Sequence, residues 1–256
     1  MTKNMIQFDH VSKIYQDKAV VDDISLTIQE GELITILGTS GSGKTTTLKM
    51  MNRLVEATSG KIYFNGQDIA DLDAVALRRQ IGYVVQEIGL FPHMTVAENM
   101  AIVPKLLNWD QKKIDQRILE LMDLIQLGAE DFSHRYPSEL SGGQQQRIGV
   151  ARALAANPNI MLFDEPFGAI DAITRGALQD QLLAIHQKLR DKTFVFITHD
   201  IYEAFKLGTR VLIMDEGKIA QFDTPEKIMA KPKNDFVKKL IETARDQQTL
   251  WGAVHA

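Results

Sequence analysis

The stretch LITILGTSGSGKTT, residues 33–46, decides how this sequence folds. Its first five residues are a near-continuous apolar run, the pattern of a strand buried on both faces. The next nine begin with a match to G-x-x-x-x-G-K-[ST] at residues 38–45, and the residues from Thr45 onward read as helix. Strand, glycine-rich loop and helix in that order build a phosphate cradle. Glycines let backbone N–H groups converge on phosphate oxygens, and the helix start adds partial positive charge. The candidate cradle is Gly38, Thr39, Ser40, Gly41, Ser42, Gly43, Lys44, Thr45 and Thr46. Lys44 suits the terminal phosphates as a point charge, and the Thr45 hydroxyl suits Mg²⁺.

Working outward, further short apolar runs recur at residues 160–163 (IMLF), 194–197 (FVFI) and 211–214 (VLIM). A helical face formed by Ile173, Ala177, Leu178, Leu182, Ile185 and Leu189 separates two of them. Alternating strands and helices predict an α/β core with a mostly parallel sheet. The first 70 residues differ. Ile6, Phe8 and Val11, then Val21, Ile24, Leu26 and Ile28, alternate with polar residues, and Asn65-Gly66 is a hairpin signal. These predict an antiparallel flank. Between 87 and 157 the pattern is mainly helical, with Ile114, Ile118, Leu121, Met122 and Ile125 in one stripe. The expected organisation is a core of 1–86 and 158–230, a helical subdomain of 87–157, and a tail of 231–256. That tail, which ends with Trp251 and His255, is expected to be part helix and part loose.

Composition narrows the function classes. The net charge of −4 gives no general electrostatic reason to expect a nucleic-acid partner. The absence of cysteine excludes disulfides, thiol chemistry and His/Cys zinc sites. The first nine residues carry polar and charged side chains where a signal peptide needs an apolar stretch, and no apolar run approaches membrane-spanning length. A cytoplasmic protein is expected. His10, His93, His134, His186 and His255 show no metal-ligand spacing.

Three more features carry chemistry. SELSGGQQQR, residues 138–147, reads as a second anion-holding helix start: Ser141 caps, Gln144 completes a capping box, and two glycines leave N–H groups unshielded. Asp164-Glu165 closes the run at 160–163, at a strand end where ligands bind in open α/β sheets. Asp164 suits Mg²⁺, and Glu165 suits a general base acting on water. Gln86 and His199 each stand just past a strand-like run.

Residues 38–46, Gln86, LSGGQQQR, Asp164-Glu165, Gly168-Ala169-Ile170-Asp171 and His199 occur in the order and spacing of the ABC-transporter ATPase subunits, which the sequence resembles over about residues 3–230. One departure is Ile170, where the family has Leu. The resemblance implies a P-loop NTPase core, ATP and Mg²⁺ as cofactors, and Tyr15 stacked on adenine. It implies Glu165, His199 and Gln86 as catalytic residues, with Thr45, Gln86 and Asp164 around the metal. It further implies a head-to-tail homodimer in which the helix start at Ser141, Gly142 and Gly143 serves the nucleotide held by the other copy, with Gln144 and Asp171 also in the nucleotide-binding set. Expected partners are transmembrane permease subunits and, indirectly, a substrate-binding protein, with no nucleic acid. The expected place is the cytoplasmic face of the membrane. KMMNRLVEATSGKI and IGYVVQEIGLFPHMTVAENM resemble importers of quaternary amines such as glycine betaine, carnitine and choline; Asn52-Arg53-Leu54 and Gln86-Glu87-Ile88-Gly89 carry most of this. Two other classes stand beside the importer. One is a soluble ABC-type ATPase without a membrane partner. The other is a phosphate-loop kinase, which leaves LSGGQQQR unexplained.

Overall fold

A computed structural model describes residues 3–86, 89–168 and 170–254, except the side chains of 172, 173 and 245–254. Glu87, Ile88, Ala169, His255 and the side chains of Ile173 and Trp251 lie outside the described set. The chain divides into two compact units, residues 1–72 with 195–256, and residues 73–194.

The first unit opens with two long strands, β1 (Asn4–Tyr15) and β2 (Lys18–Gln29). They pair antiparallel with Ile6 opposite Ile28, Phe8 opposite Leu26 and Val11 opposite Ile24, all buried. The odd step from Phe8 to Val11 is explained by a bulge: the register shifts there, and His10 turns to φ 50. One extra residue restores the inward face. Next come β3 (Leu33–Gly38), α1 (Lys44–Met51), β4 (Ser59–Phe64) and β5 (Gln67–Asp68). Asn65 and Gly66 both take positive φ between β4 and β5, the conformation a tight hairpin needs. The antiparallel sheet runs β2-β1-β4-β5.

The second unit contains α2 (Ala74–Arg79), β6 (Ile81–Val84), α3 (Val96–Leu106), α4 (Gln111–Leu124), α5 (Ala129–Phe132), α6 (Gly142–Leu154), β7 (Ile160–Asp164) and α7 (Ala172–Lys188). β6 and β7 pair in parallel, from Ile81 opposite Ile160 to Val84 opposite Phe163. The stripe predicted for α4 is buried throughout. Phe163 and Phe194 meet with ring centroids 5.3 Å apart.

The division between the units falls within β8 (Thr193–Ile197). The chain then returns to the first unit with α8 (Ile201–Leu207), β9 (Arg210–Asp215), β10 (Lys218–Asp223), α9 (Pro225–Ala230) and α10 (Asp235–Val254). β3 lies parallel to β9, with Gly38 opposite Met214, and all six β3 residues are buried. Within the C-terminal segment α10 is one continuous helix, and Val237 and Ile241 join Leu37, Ala204, Val211, Ile213 and Ile228 in a core cluster. The i, i+4 spacing of Val237 and Ile241 builds that seam. No helix among the described residues is long and apolar enough to cross a membrane.

Candidate functional site

The residues expected to act fall into two sets, one in each unit. In the first unit β3 delivers the chain to Gly38. A Cβ there would stand 2.3 Å from the Met214 carbonyl oxygen, so only glycine fits against β9. The loop tightens as Ser42 N–H donates to the Thr39 carbonyl at 3.2 Å. Gly41 and Gly43 take φ 80 and 98, a region that penalises any side chain. Gly43 is the N-cap of α1 and offers no side chain to cap it, and the first turn has no acidic residue. An anion is the natural complement of such a helix start.

Lys44 is 6% exposed, and its Nζ donates to the Gly38 and Thr39 carbonyls, both at 2.9 Å. The ammonium group is thus folded over the loop it would serve. Ser42 Oγ is buried with no hydrogen-bond partner. Thr39, Ser40 and Gly41 are exposed, and Thr45 and Thr46 are half-buried. His199 is exposed and lines one groove with Gly38, Thr39 and Ser40. It stands between Thr198, whose hydroxyl accepts from Asp200 N–H at 3.0 Å, and Asp200, which caps α8. Tyr15 is 45% exposed at the end of β1, with Lys13 Nζ 4.8 Å from its ring centroid.

In the second unit β7 ends at Asp164, and Glu165 comes next with φ 46. The left-handed turn breaks strand alternation between the two carboxylates. Sequence reasoning missed the partner of Asp164: the Tyr83 hydroxyl, on neighbouring β6, donates to Asp164 Oδ2 at 3.1 Å. Burial, then the Asp164 charge and this hydrogen bond, push the Tyr83 hydroxyl well above the ordinary tyrosine range, so it stays a donor. No local sequence signal marks it, since the bond depends on the parallel pairing that puts Tyr83 beside Leu162. Gln86 also reaches this corner, because a Cβ on Gly168 would lie 3.5 Å from Gln86 Nε2. Gly168 N–H in turn donates to the Glu165 carbonyl at 3.1 Å.

The capping box at α6 is formed as the sequence predicts. Ser141 Oγ accepts from Gln144 N–H at 3.3 Å, and Gln144 Oε1 accepts from Ser141 N–H at 2.9 Å. Both side chains therefore hold the helix end in shape. Ser141 and Gly142 are exposed, and a Cβ on Gly142 would meet nothing within 4 Å. First-turn N–H groups have no acceptor inside a helix, so an anion has open access here. A Cβ on Gly143 would come 3.1 Å from Thr174 Cγ2, which puts the start of α6 beside the first turn of α7. Asp171 caps that turn, with Oδ1 accepting from Thr174 N–H at 3.0 Å.

Comparison with known proteins places the chain in a family. The ABC transporter family profile matches residues 21–168. The carnitine transport ATP-binding protein OpuCA of Listeria monocytogenes is 54% identical over 238 residues, covering 93% of this chain and 59% of that protein. The osmoprotectant import ATP-binding protein OsmV of Salmonella typhimurium is 49% identical over 251 residues, covering 96% of this chain and 65% of its own length. The chain thus spans about three-fifths of the length of these relatives. Among solved structures, the dimeric post-hydrolysis state of an ATP-binding cassette bound to ADP and Pi is 33% identical, with a TM-score of 0.73 over 86% of this chain and 99% of that one. With a phosphate loop in one unit, a capped glycine helix start in the other, and a profile match over more than half its length, this chain belongs to the ABC transporter family.

Proposed function

We propose that this chain is the ATP-hydrolysing motor subunit of an importer for a small solute of the quaternary-amine osmoprotectant class. The observation that carries this reading is the presence of two anion-ready helix starts, at Gly43 and at Ser141–Gly143, on one polypeptide. One triphosphate on one chain needs a single cradle. Two cradles make sense when each copy holds one ATP and reaches over to its neighbour's. A closed two-fold pair then contains two identical composite sites. The dimeric state of the relative bound to ADP and Pi supports this reading.

In this reading Gly38 to Thr46 wrap the phosphates, and Lys44 leaves the loop carbonyls to meet the terminal ones. Tyr15 stacks on adenine. Ser141, Gly142, Gly143 and Gln144, with Asp171 beside them, approach the partner's γ-phosphate. Glu165 polarises water, Gln86 senses the Mg²⁺ ion and the γ-phosphate, and His199 completes the catalytic set. The donor set fits Mg²⁺. Among the described residues no three of His, Cys, Asp or Glu gather into a metal cluster. The donors proposed are one carboxylate, Asp164, with the Thr45 hydroxyl and the Gln86 amide oxygen. Such a sparse set of hard oxygens suits an ion that keeps water and phosphate ligands. When bound, the ion neutralises phosphate charge.

Permease subunits, with a substrate-binding protein acting on them, and a place on the cytoplasmic face complete the proposal. The printed roles of the relatives, carnitine transport and osmoprotectant import, support the solute class. The test is Glu165→Gln. It should bind ATP with unchanged affinity, lose turnover, and elute as an ATP-dependent dimer in gel filtration. Hydrolysis at the wild-type rate would remove Glu165 from the mechanism.

A further inference from the structure

Tyr15 closes β1 with its ring about half exposed, and an exposed aromatic side chain ordinarily exchanges among rotamers. Here the backbone around it is fixed. Gln16 and Asp17, with φ 44 and 65, make the two-residue turn into β2, and Tyr15 pairs with Lys18 across it. On the near side the Ser12 carbonyl accepts from Thr58 N–H at 2.8 Å, and Ile14 N–H donates to the Thr58 hydroxyl at 3.1 Å. Lys13 therefore stands between two anchored residues. It precedes Tyr15 by two positions, the spacing that shares a strand face. Its Nζ lies 4.8 Å from the ring centroid, inside the reach of about 6 Å for a cation–π contact. Among the described residues no carboxylate pairs with Lys13, so the ring is what its charge meets.

The same hairpin leans on the phosphate loop. A Cβ on Gly43 would stand 2.6 Å from the Val20 carbonyl oxygen and 3.3 Å from Val21 Cγ2. Val21 is the residue opposite Lys13 in the pairing of β1 with β2. Ring and cradle thus belong to one compact unit, with β2 pressed against the N-cap of α1. A nucleotide whose phosphates lie at Gly43 and Lys44 must find the ring where the strands set it.

From this geometry we propose that Lys13 is a positioning residue for the base: it holds the Tyr15 ring by one face and so presents the other face to adenine before the nucleotide arrives. The proposal rests on the reading that Tyr15 stacks on adenine. Holding the ring in advance removes the ordering cost of a loose side chain from binding. A cation on one face also draws π density toward itself, which favours an electron-rich base on the other. Lys13 touches the ring and not the base, so its effect reaches only ligands that carry a base.

The test compares Mg-ADP with inorganic tripolyphosphate, both titrated by calorimetry into the full-length chain. Lys13→Met should raise Kd for ADP about threefold and leave Kd for tripolyphosphate within about 1.5-fold, and Lys13→Arg should restore most of the loss. In a Tyr15→Leu background, Lys13→Met should add less than about 1.5-fold. Without nucleotide, the ring resonances of isotope-labelled Tyr15 should move in Lys13→Met. An unmoved ring signal overturns the contact. Equal losses for ADP and tripolyphosphate overturn the proposal, because Lys13 would then act as a charge on the phosphates. Unchanged ADP affinity in Tyr15→Leu overturns the stacking reading and this proposal with it. A loss there with none in Lys13→Met overturns the role of Lys13 alone.

Discussion

Lys44 shows how one side chain prepares a site. A buried ammonium group needs compensation, and two loop carbonyls at 2.9 Å supply it. Those carbonyls hold the loop open around a positive centre that ATP phosphates would share. Lys44→Ala should weaken ATP binding by about 1.5–3 kcal/mol, roughly tenfold or more, measured by calorimetry. Unchanged affinity would show that the ammonium does not face the nucleotide. At this scale much of the site was legible. A fixed spacing of glycines, lysine and threonine states its own geometry, and so does Ser141 with Gln144 three positions on. Tyr83 was not legible, because its bond to Asp164 joins positions 81 residues apart through a strand pairing that no local pattern announces. The cap made by Asp171 was hidden for a different reason: its spacing to Thr174 is that of any N-cap, and the same carboxylate also fits a role toward the nucleotide.

Among the elements, buried strands were the plainest to read, because β3, β7 and β9 are each built on a short, mostly apolar run and bury nearly every residue. The helical stripe of α4 was equally clear. The C-terminal helix was not, since Lys238, Lys239 and Glu242 surround its seam and dilute the apolar signal. Its docking has a measurable consequence. Ile241 is 7% exposed in a cluster with Leu37 and Ile213, the former on the strand that feeds the phosphate loop. Ile241→Ala should cost about 2–5 kcal/mol in denaturant unfolding. A loss below about 0.5 kcal/mol, the range of surface changes, would mean that the helix does not share this core.

The whole molecule carries the central claim: neither copy owns a complete reaction centre. Phosphate loop and glycine helix start belong to different compact units of one chain, and the proposal assigns them to different nucleotides. Family membership and the α/β fold were readable from residue order alone. Pairing between copies came only as an implication of the family resemblance, because the residues by themselves show which stretches are polar and glycine-bearing and leave their partner unnamed. Complementation addresses it directly. Lys44→Ala disables the loop, and Ser141→Arg blocks the helix start that serves the neighbour. Each variant alone should be inactive. Mixed in equal amounts with random pairing, half the dimers regain one composite site of two, so ATP hydrolysis should return to about a quarter of the wild-type rate. With mixed dimers verified by tagged co-purification, a rate no higher than either parent's would contradict the shared-site account.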